Sequence, residues 1–288
     1  MSRIAAVVAV GDVMLDVELE AVVPGLRRHA PVLVRAGGSA VNAARAARDV
    51  GASAAVVGRV GEDAAGKTIA TELDRAGVRT LLTRDPSRPT GVTVSATDQR
   101  ATVADRGANA GFAAADVPDR LDAGALLVSG YLLLHDDTAG GARAALERAE
   151  TEWLAVDAAS AERVARVGPE RFFDLAAPAN AVLADAASAA ALAGGEPEDA
   201  ARRLGTRYRL AAVTAGASGA FVCVEGRIAS ARPTATSPRS SLVSGDAFAG
   251  ALLGQLARGV EPDAAVRAAS ECASRWAAAP APAPGSFV

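Results

Sequence analysis

The feature that most constrains this chain is an alternation of two kinds of segment. Short runs of Val, Ile, Leu and Ala recur at IAAVVAV (4–10), SAAVVG (53–58), ALLVSG (125–130), WLAVDA (153–158), AVLAD (181–185) and LAAVTAG (210–216). Several lack any apolar/polar alternation, as parallel strands covered on both faces do. Between them lie stretches of helical character at 39–50, 62–76, 138–151, 186–193, 197–205, 246–258 and 262–278. Strand–helix repetition of this kind predicts an α/β sandwich around a mostly parallel sheet. In such sheets, ligands bind beyond the carboxyl ends of the strands. Two stretches depart from the pattern. Residues 17–36 and 90–105 are helix-poor and hairpin-like, and predict extra strands forming a small β flap over a pocket. The Pro/Ala-rich tail 279–288 reads as extended.

Composition narrows the class. A chain of 288 residues can bury a sizeable core as one large domain. Half of its residues are apolar but only 3% are aromatic, so Ala, Val and Leu must build that core. The net charge is −3, with no basic block of the kind that binds nucleic acid. No run approaches the roughly 18 apolar residues of a membrane span. Cys223 and Cys272 lack metal-ligand spacing and read as reduced, buried thiols. The expectation is a soluble cytoplasmic protein with neither nucleic acid nor membrane as partner.

Residues 61–68, GEDAAGKT, satisfy the pattern of a phosphate-binding P-loop. Charge argues against that reading. A P-loop aims backbone N–H groups at phosphates, and Glu62 and Asp63 would then lie beside a polyanion. At about 4 Å and an effective dielectric near 20, each such pair costs roughly 4 kcal/mol before screening. A helix starting near Glu62, with both acids at its positive end, accounts for the same residues.

Three other segments converge on one chemistry. VGDVMLD places Asp12 and Asp16 just after the first strand, where a carboxylate can accept from vicinal hydroxyls. RAGGSAVNAA sets Gly37 and Gly38 before a helix, which allows a ligand close to the backbone, and Asn42 follows in the first turn. SLVSGDAFAG offers Ser244 as a cap, Gly245 for close approach, and Asp246 at the positive end of a helix. A carboxylate there can take a proton from an attacking hydroxyl. Taken singly, each segment reads more readily, or at least as readily, as a turn or a capped helix start.

Together they resemble the ribokinase-like (PfkB) sugar and nucleoside kinase family. The resemblance also covers VGRVGEDAAGKTIATELDRAGV, QRATVADRGAN (99–109), LLVSGYLLL (126–134), LAVDAAS (154–160) and AAVTAGASGA (211–220). It implies a single three-layer α/β/α domain over residues 1–288, with a small β lid and a mostly parallel central sheet. It implies ATP- and Mg²⁺-dependent phosphorylation of a hydroxyl on a sugar or sugar acid. By position, Asp246 is the implied base, with Gly245 and Ser244 in the anion hole. Asp16, Gly38, Asn42, Arg106 and Asn109 are the implied substrate contacts. Thr214, Gly216, Gly219 and Asp185 are the implied nucleotide-side residues, with no direct protein ligand to the metal assigned. The resemblance also implies that two copies can pair through the lid.

The chain departs from the family pattern on the nucleotide side. Where the family has D-T-x-G-A-G-D, this sequence has Ser240, Ser241, Leu242, Val243, Ser244, Gly245 and Asp246. Val243 in place of a glycine either strains the loop or imposes another path. Ser240 lacks the acid expected of a monovalent-cation site. Where the family has Asn-x-x-Glu, this chain has Asp185 and Ser188. The segment Cys272–Ala279 lacks the usual Gly-Ala turn. These losses leave a second expectation open: a weak or inactive member that binds a sugar-like ligand.

Overall fold

The computed structural model describes residues 4–22, 25, 27, 29–96, 101–234 and 241–278. The first part of the chain forms β1 (Ala5–Val10), β2 (Met14–Leu19), β3 (Val32–Gly37), α1 (Ser39–Asp49), β4 (Ala54–Gly61), α2 (Ala64–Arg75) and β5 (Val78–Asp85). Then come β6 (Gly91–Ala96), β7 (Ala101–Asp105), β8 (Leu121–Val128), α3 (Gly130–Leu133), α4 (Asp136–Glu147), β9 (Ala149–Glu150) and β10 (Trp153–Asp157). After these lie α5 (Ala161–Val167), α6 (Pro169–Leu175), β11 (Ala181–Asp185), α7 (Ala186–Ala193), α8 (Pro197–Leu204) and β12 (Leu210–Thr214). The chain closes with β13 (Ala220–Val224), β14 (Arg227–Ala231), α9 (Ser241–Leu256) and α10 (Pro262–Ala278).

The main sheet runs β14-β13-β12-β11-β10-β8-β1-β4-β5, with β9 beside β8. From β12 to β5 the neighbours pair in parallel, and the β13–β14 hairpin adds antiparallel strands at one edge. The two-residue period of a strand divides the apolar runs between two cores. Val7 and Ala9 of β1 face Ala43, Ile69, Leu252 and Val266, from α1, α2, α9 and α10. Val8 and Val10 face Ala145, Val164, Phe172, Leu192 and Leu204, from α4 to α8. Each fully buried Val or Leu contributes about 1.5–3 kcal/mol relative to exposure. The expected three-layer sandwich is therefore present. So is the lid, a separate sheet in the order β3-β2-β6-β7.

Small residues set the spacing of α1 and α9. A Cβ on Gly250 would collide with the carbonyl of Ala43, and one on Gly254 would lie 3.4 Å from the Cα of Ala47. The alanine face of α1 thus lets the backbone of α9 come into direct contact.

Several elements differ from expectation. The helix expected at 138–151 is α4, which stops at Glu147 before β9. Strand β5 went unpredicted because it is an edge strand, and Arg79 and Arg84 break up its apolar run. Helices α5 and α6 are seven residues each, too short to show a helical period. The P-loop-like stretch is a capped helix: Asp63 accepts from Gly66 N at 2.8 Å and from Thr90 N at 2.7 Å. Lys67 and Thr68 are exposed, and Asp63 ties α2 to the base of the lid rather than to a phosphate. The tail 279–288 and Ser240 lie outside the described residues.

Candidate active site

The carboxyl ends of the parallel strands bring Asp12, Ser129, Asp157, Asp185 and Thr214 to one edge of the sheet, the edge the sandwich reading singles out. Asp246, on α9, joins them from above. Asn42 of α1 donates its Nδ2–H to Asp246 Oδ2 at 3.0 Å. Burial pushes the Asp246 carboxyl up to about 7, against the lowering effect of the Asn42 bond, with Asp157 and Asp16 raising it further. Asn42 is buried, and its Oδ1 has no hydrogen-bond partner. A buried acceptor left unmet is costly, so this atom is a natural contact for a ligand donor.

Asp16 projects from β2 on the lid side. It accepts from the Gly38 N–H and the Thr93 hydroxyl, and burial raises its pKa to about 6 despite Arg35 nearby. Only glycine fits at Gly37, where a Cβ would strike the Asp16 carboxylate. Gly38 has φ 90°, and a Cβ there would strike the Asp12 carbonyl. The chain therefore threads tightly between lid and sheet at this point.

Arg106 and Asn109, implied as substrate contacts, directly follow β7 of the lid, and each is already engaged. Arg106 pairs with Asp12 at 2.9 Å. Asn109 is buried; its Oδ1 accepts from Val13 N at 2.8 Å and its Nδ2 donates to Val13 O at 2.9 Å and to Arg106 O. Its amide is thus spent pinning the β1–β2 crossing.

Of the residues implied to meet a nucleotide, Asp185 is exposed and caps α7, accepting from Ser188 N at 2.6 Å. Ser188 Oγ is buried without a partner. Thr214 ends β12, and the turn after it holds Gly216 at φ 53° and Gly219 at φ 98°. Nothing lies within 4 Å of where a Cβ on Gly216 or Gly245 would be, so both backbones face open space.

The helix start expected at Ser244–Asp246 requires correction. Helix α9 begins at Ser241, so Ser244 does not cap it and Asp246 lies past its first turn. Only first-turn N–H groups are free of intrahelical partners, which places them about 7 Å before Asp246 at 1.5 Å per residue. The reason is Val243. Among the described residues, the non-glycine positions with positive φ are Ala159 and Glu225; Val243 is not one of them and adopts helix instead of a strained loop. Similarly, α10 runs unbroken from Pro262 to Ala278 where a Gly-Ala turn is missing.

Sequence reasoning passed over Asp157 as a site residue. Its carboxylate accepts from Ala159 N at 2.7 Å and Gly130 N at 3.2 Å, and burial lifts its pKa to about 6. Ala159 holds φ 55° to deliver its N–H. The available signal was an acid closing a buried strand, as Asp185 closes β11. Tyr131, whose hydroxyl is bonded to Ser160, also feels Asp157, Asp246 and Asp185, and burial raises its pKa.

Comparison with known proteins matches this geometry to a class. A putative ribokinase II from E. coli, solved with ATP and Mg²⁺, superposes with a TM-score of 0.82 at 16% identity, covering 98% of this chain and 94% of that one. The adenosine kinase of Sinorhizobium meliloti gives 0.79 at 21% identity, covering 93% and 92%. At such identities the likeness establishes the fold, that of the ribokinase-like kinases. The family model for pfkB carbohydrate kinases matches residues 5–280, and the chain belongs to that family. Among curated relatives, the bifunctional protein HldE of Bradyrhizobium diazoefficiens is 40% identical over 92 residues. That match spans 29% of this chain and only 19% of the relative.

Proposed function

We propose that this carbohydrate kinase transfers the terminal phosphoryl group of ATP to a hydroxyl of a sugar or sugar acid, with Asp246 as the base. The observation carrying this reading is the Asn42–Asp246 pair: a carboxylate poised near 7, oriented by an amide whose other end is unmet. A base with a pKa near the working pH combines a useful ionised fraction with a useful affinity for the proton. Asp16 and Asn42 Oδ1 would receive neighbouring hydroxyls, and closing the lid would exclude water. Arg106 and Asn109 would shape the pocket through Asp12 and Val13.

The residues present fit a nucleotide. Nothing crowds the backbone at Gly216 and Gly245, which would let a nucleotide phosphate approach there. Among the described residues no group of three or more His, Cys, Asp or Glu is arranged to hold a metal ion. Mg²⁺ would ride mainly on phosphates and water, as this ion usually does, with Asp185 as an exposed carboxylate available to it. When bound, Mg-ATP supplies the phosphoryl group and neutralises its developing charge.

The test is phosphotransfer from Mg-ATP to a panel of ketoses, aldoses, sugar acids and nucleosides. Asp246→Asn should lower the rate about 10²- to 10⁴-fold without abolishing acceptor binding. The native rate should climb as pH rises through about 7, because the base must be ionised. An Asp246→Asn chain as active as its parent would refute the mechanism. The rival reading, a weak or inactive sugar binder, draws on the path of α9, which carries the Gly245 and Asp246 N–H groups past the first helical turn. Stabilisation by a sugar with none by Mg-ATP would favour it.

Pairing of two copies through the lid has its own support. Val34, Val17, Val94 and Val103 form one transverse row in the strand register, and Val34, Val94 and Val103 are exposed. Exposed apolar rows of this kind mark association surfaces. Sedimentation should give the mass of two chains, and Val103→Lys should return it to one. A native mass of one chain rules the pairing out.

A further inference from the structure

We infer that the contact of α1 with α9 at Gly250 is a positioning device, holding Asn42 against Asp246 so that the carboxylate keeps one oxygen turned to the acceptor. The inference rests on reading Asp246 as the base. Asn42 and Asp246 are 204 positions apart in sequence, so nothing local sets their separation; the packing of two helices does. Gly250 lies one turn beyond Asp246 on the same face of α9, and Ala43 follows Asn42 on α1. Their backbones touch, since a Cβ on Gly250 would overlap the Ala43 carbonyl. This makes Gly250–Ala43 the nearest rigid reference for the 3.0 Å bond. One turn further on, Gly254 meets Ala47 at a Cβ distance of 3.4 Å and the side chains of Val50 and Ala52 at 3.2 Å, a tight but yielding contact. Hydrogen bonds need donor–acceptor distances of about 3 Å and near-linear geometry, so a wedge between the helices acts directly on the pair.

The other groups acting on Asp246 are Asp16 from β2 and Asp157 from β10, both acidic; Asp246 in turn acts on Tyr131 of α3. Asn42 supplies the lowering influence on the carboxyl. Losing it should therefore move the titration of Asp246 upward.

The experiment follows the carboxyl carbon of Asp246 by NMR in protein labelled at aspartate, the resonance being assigned by its loss in Asp246→Asn. Gly250→Ala should raise the Asp246 midpoint by about one to two pH units, the worth of a hydrogen bond to a charged group. Asn42→Ala should do the same with the helix spacing intact, and Gly254→Ala should give a smaller rise. Gly259→Ala is the control for plain destabilisation: it strains a turn at φ 78°, with nothing within 4 Å of the added Cβ. It should leave the midpoint in place. An unmoved midpoint in Gly250→Ala or Asn42→Ala overturns the inference, as does an equal shift in Gly259→Ala. Should Gly250→Ala fail to fold, an unmoved midpoint in Gly254→Ala overturns it instead. Failure of the base assignment is read separately, from phosphotransfer by Asp246→Asn.

Discussion

Where the acceptor is proposed to bind, the carboxylates come with built neighbours: Asp16 has Gly38 and Thr93, Asp12 has Arg106, and Asp246 has Asn42, whose Oδ1 alone is left unmet. Where the nucleotide is proposed to bind, the fit is looser. Ser188 Oγ is buried with no partner, Asp185 faces solvent, and α9 continues through the position where its family has a glycine turn. The same sheet edge carries both halves, so the contrast is local chemistry and not a difference in fold. On the proposed reading, acceptor recognition would rest on side chains fixed by packing, while nucleotide contacts would rest on backbone paths that single residues redirect.

The largest effect is expected at Asp16. Asp16→Ala removes a charged acceptor together with its hydrogen bonds, each worth about 1.5–3 kcal/mol. The KM for the acceptor should rise about 10- to 100-fold while the KM for ATP stays within about twofold. A matched rise in both constants would show that the two sides are not separable. Stability should move the other way. Asp16 is raised from 3.8 to about 6 in the folded state, so the folded chain binds more protons than the unfolded one between those values. Its contribution to stability is present below about pH 4 and is lost as pH rises through about 6. Asp16→Ala should therefore melt a few degrees higher than the parent at pH 8, as calorimetry can check.

How much of this was legible in the sequence follows the same division. The sheet and its two cores were readable because runs such as AVLAD and LAAVTAG have no polar face to place in solvent. The lid was readable from alternation in 17–36 and 90–105. Asp246 and Asn42 were nameable one at a time. Their contact was not, because a bond across 204 residues depends on how closely Gly250 lets two helices approach. Asn109 reads from sequence as a lid residue reaching for substrate, yet its amide is consumed by the main chain of Val13, which no local pattern announces. The start of α9 was misplaced for a related reason. SGD carries a strong cap signature, but Val243 and its neighbours continue the helix at little cost.

That last difference yields the smaller and more delicate test. Val243→Gly puts back the conformational freedom that the valine removed. Glycine in a helix costs about 1 kcal/mol relative to alanine, so the first turn of α9 should fray and its start should move toward Asp246. The N–H groups of Gly245 and Asp246 would then be released where a phosphate approaches the base. The KM for ATP should fall about three- to tenfold, with the acceptor KM unchanged and a melting temperature lower by a few degrees. If the KM for ATP instead stays level or rises, the helical path through Val243 does not handicap the nucleotide side. The looseness seen there would then have to be traced to Ser188, where an expected acid is missing and a buried hydroxyl is left without a partner.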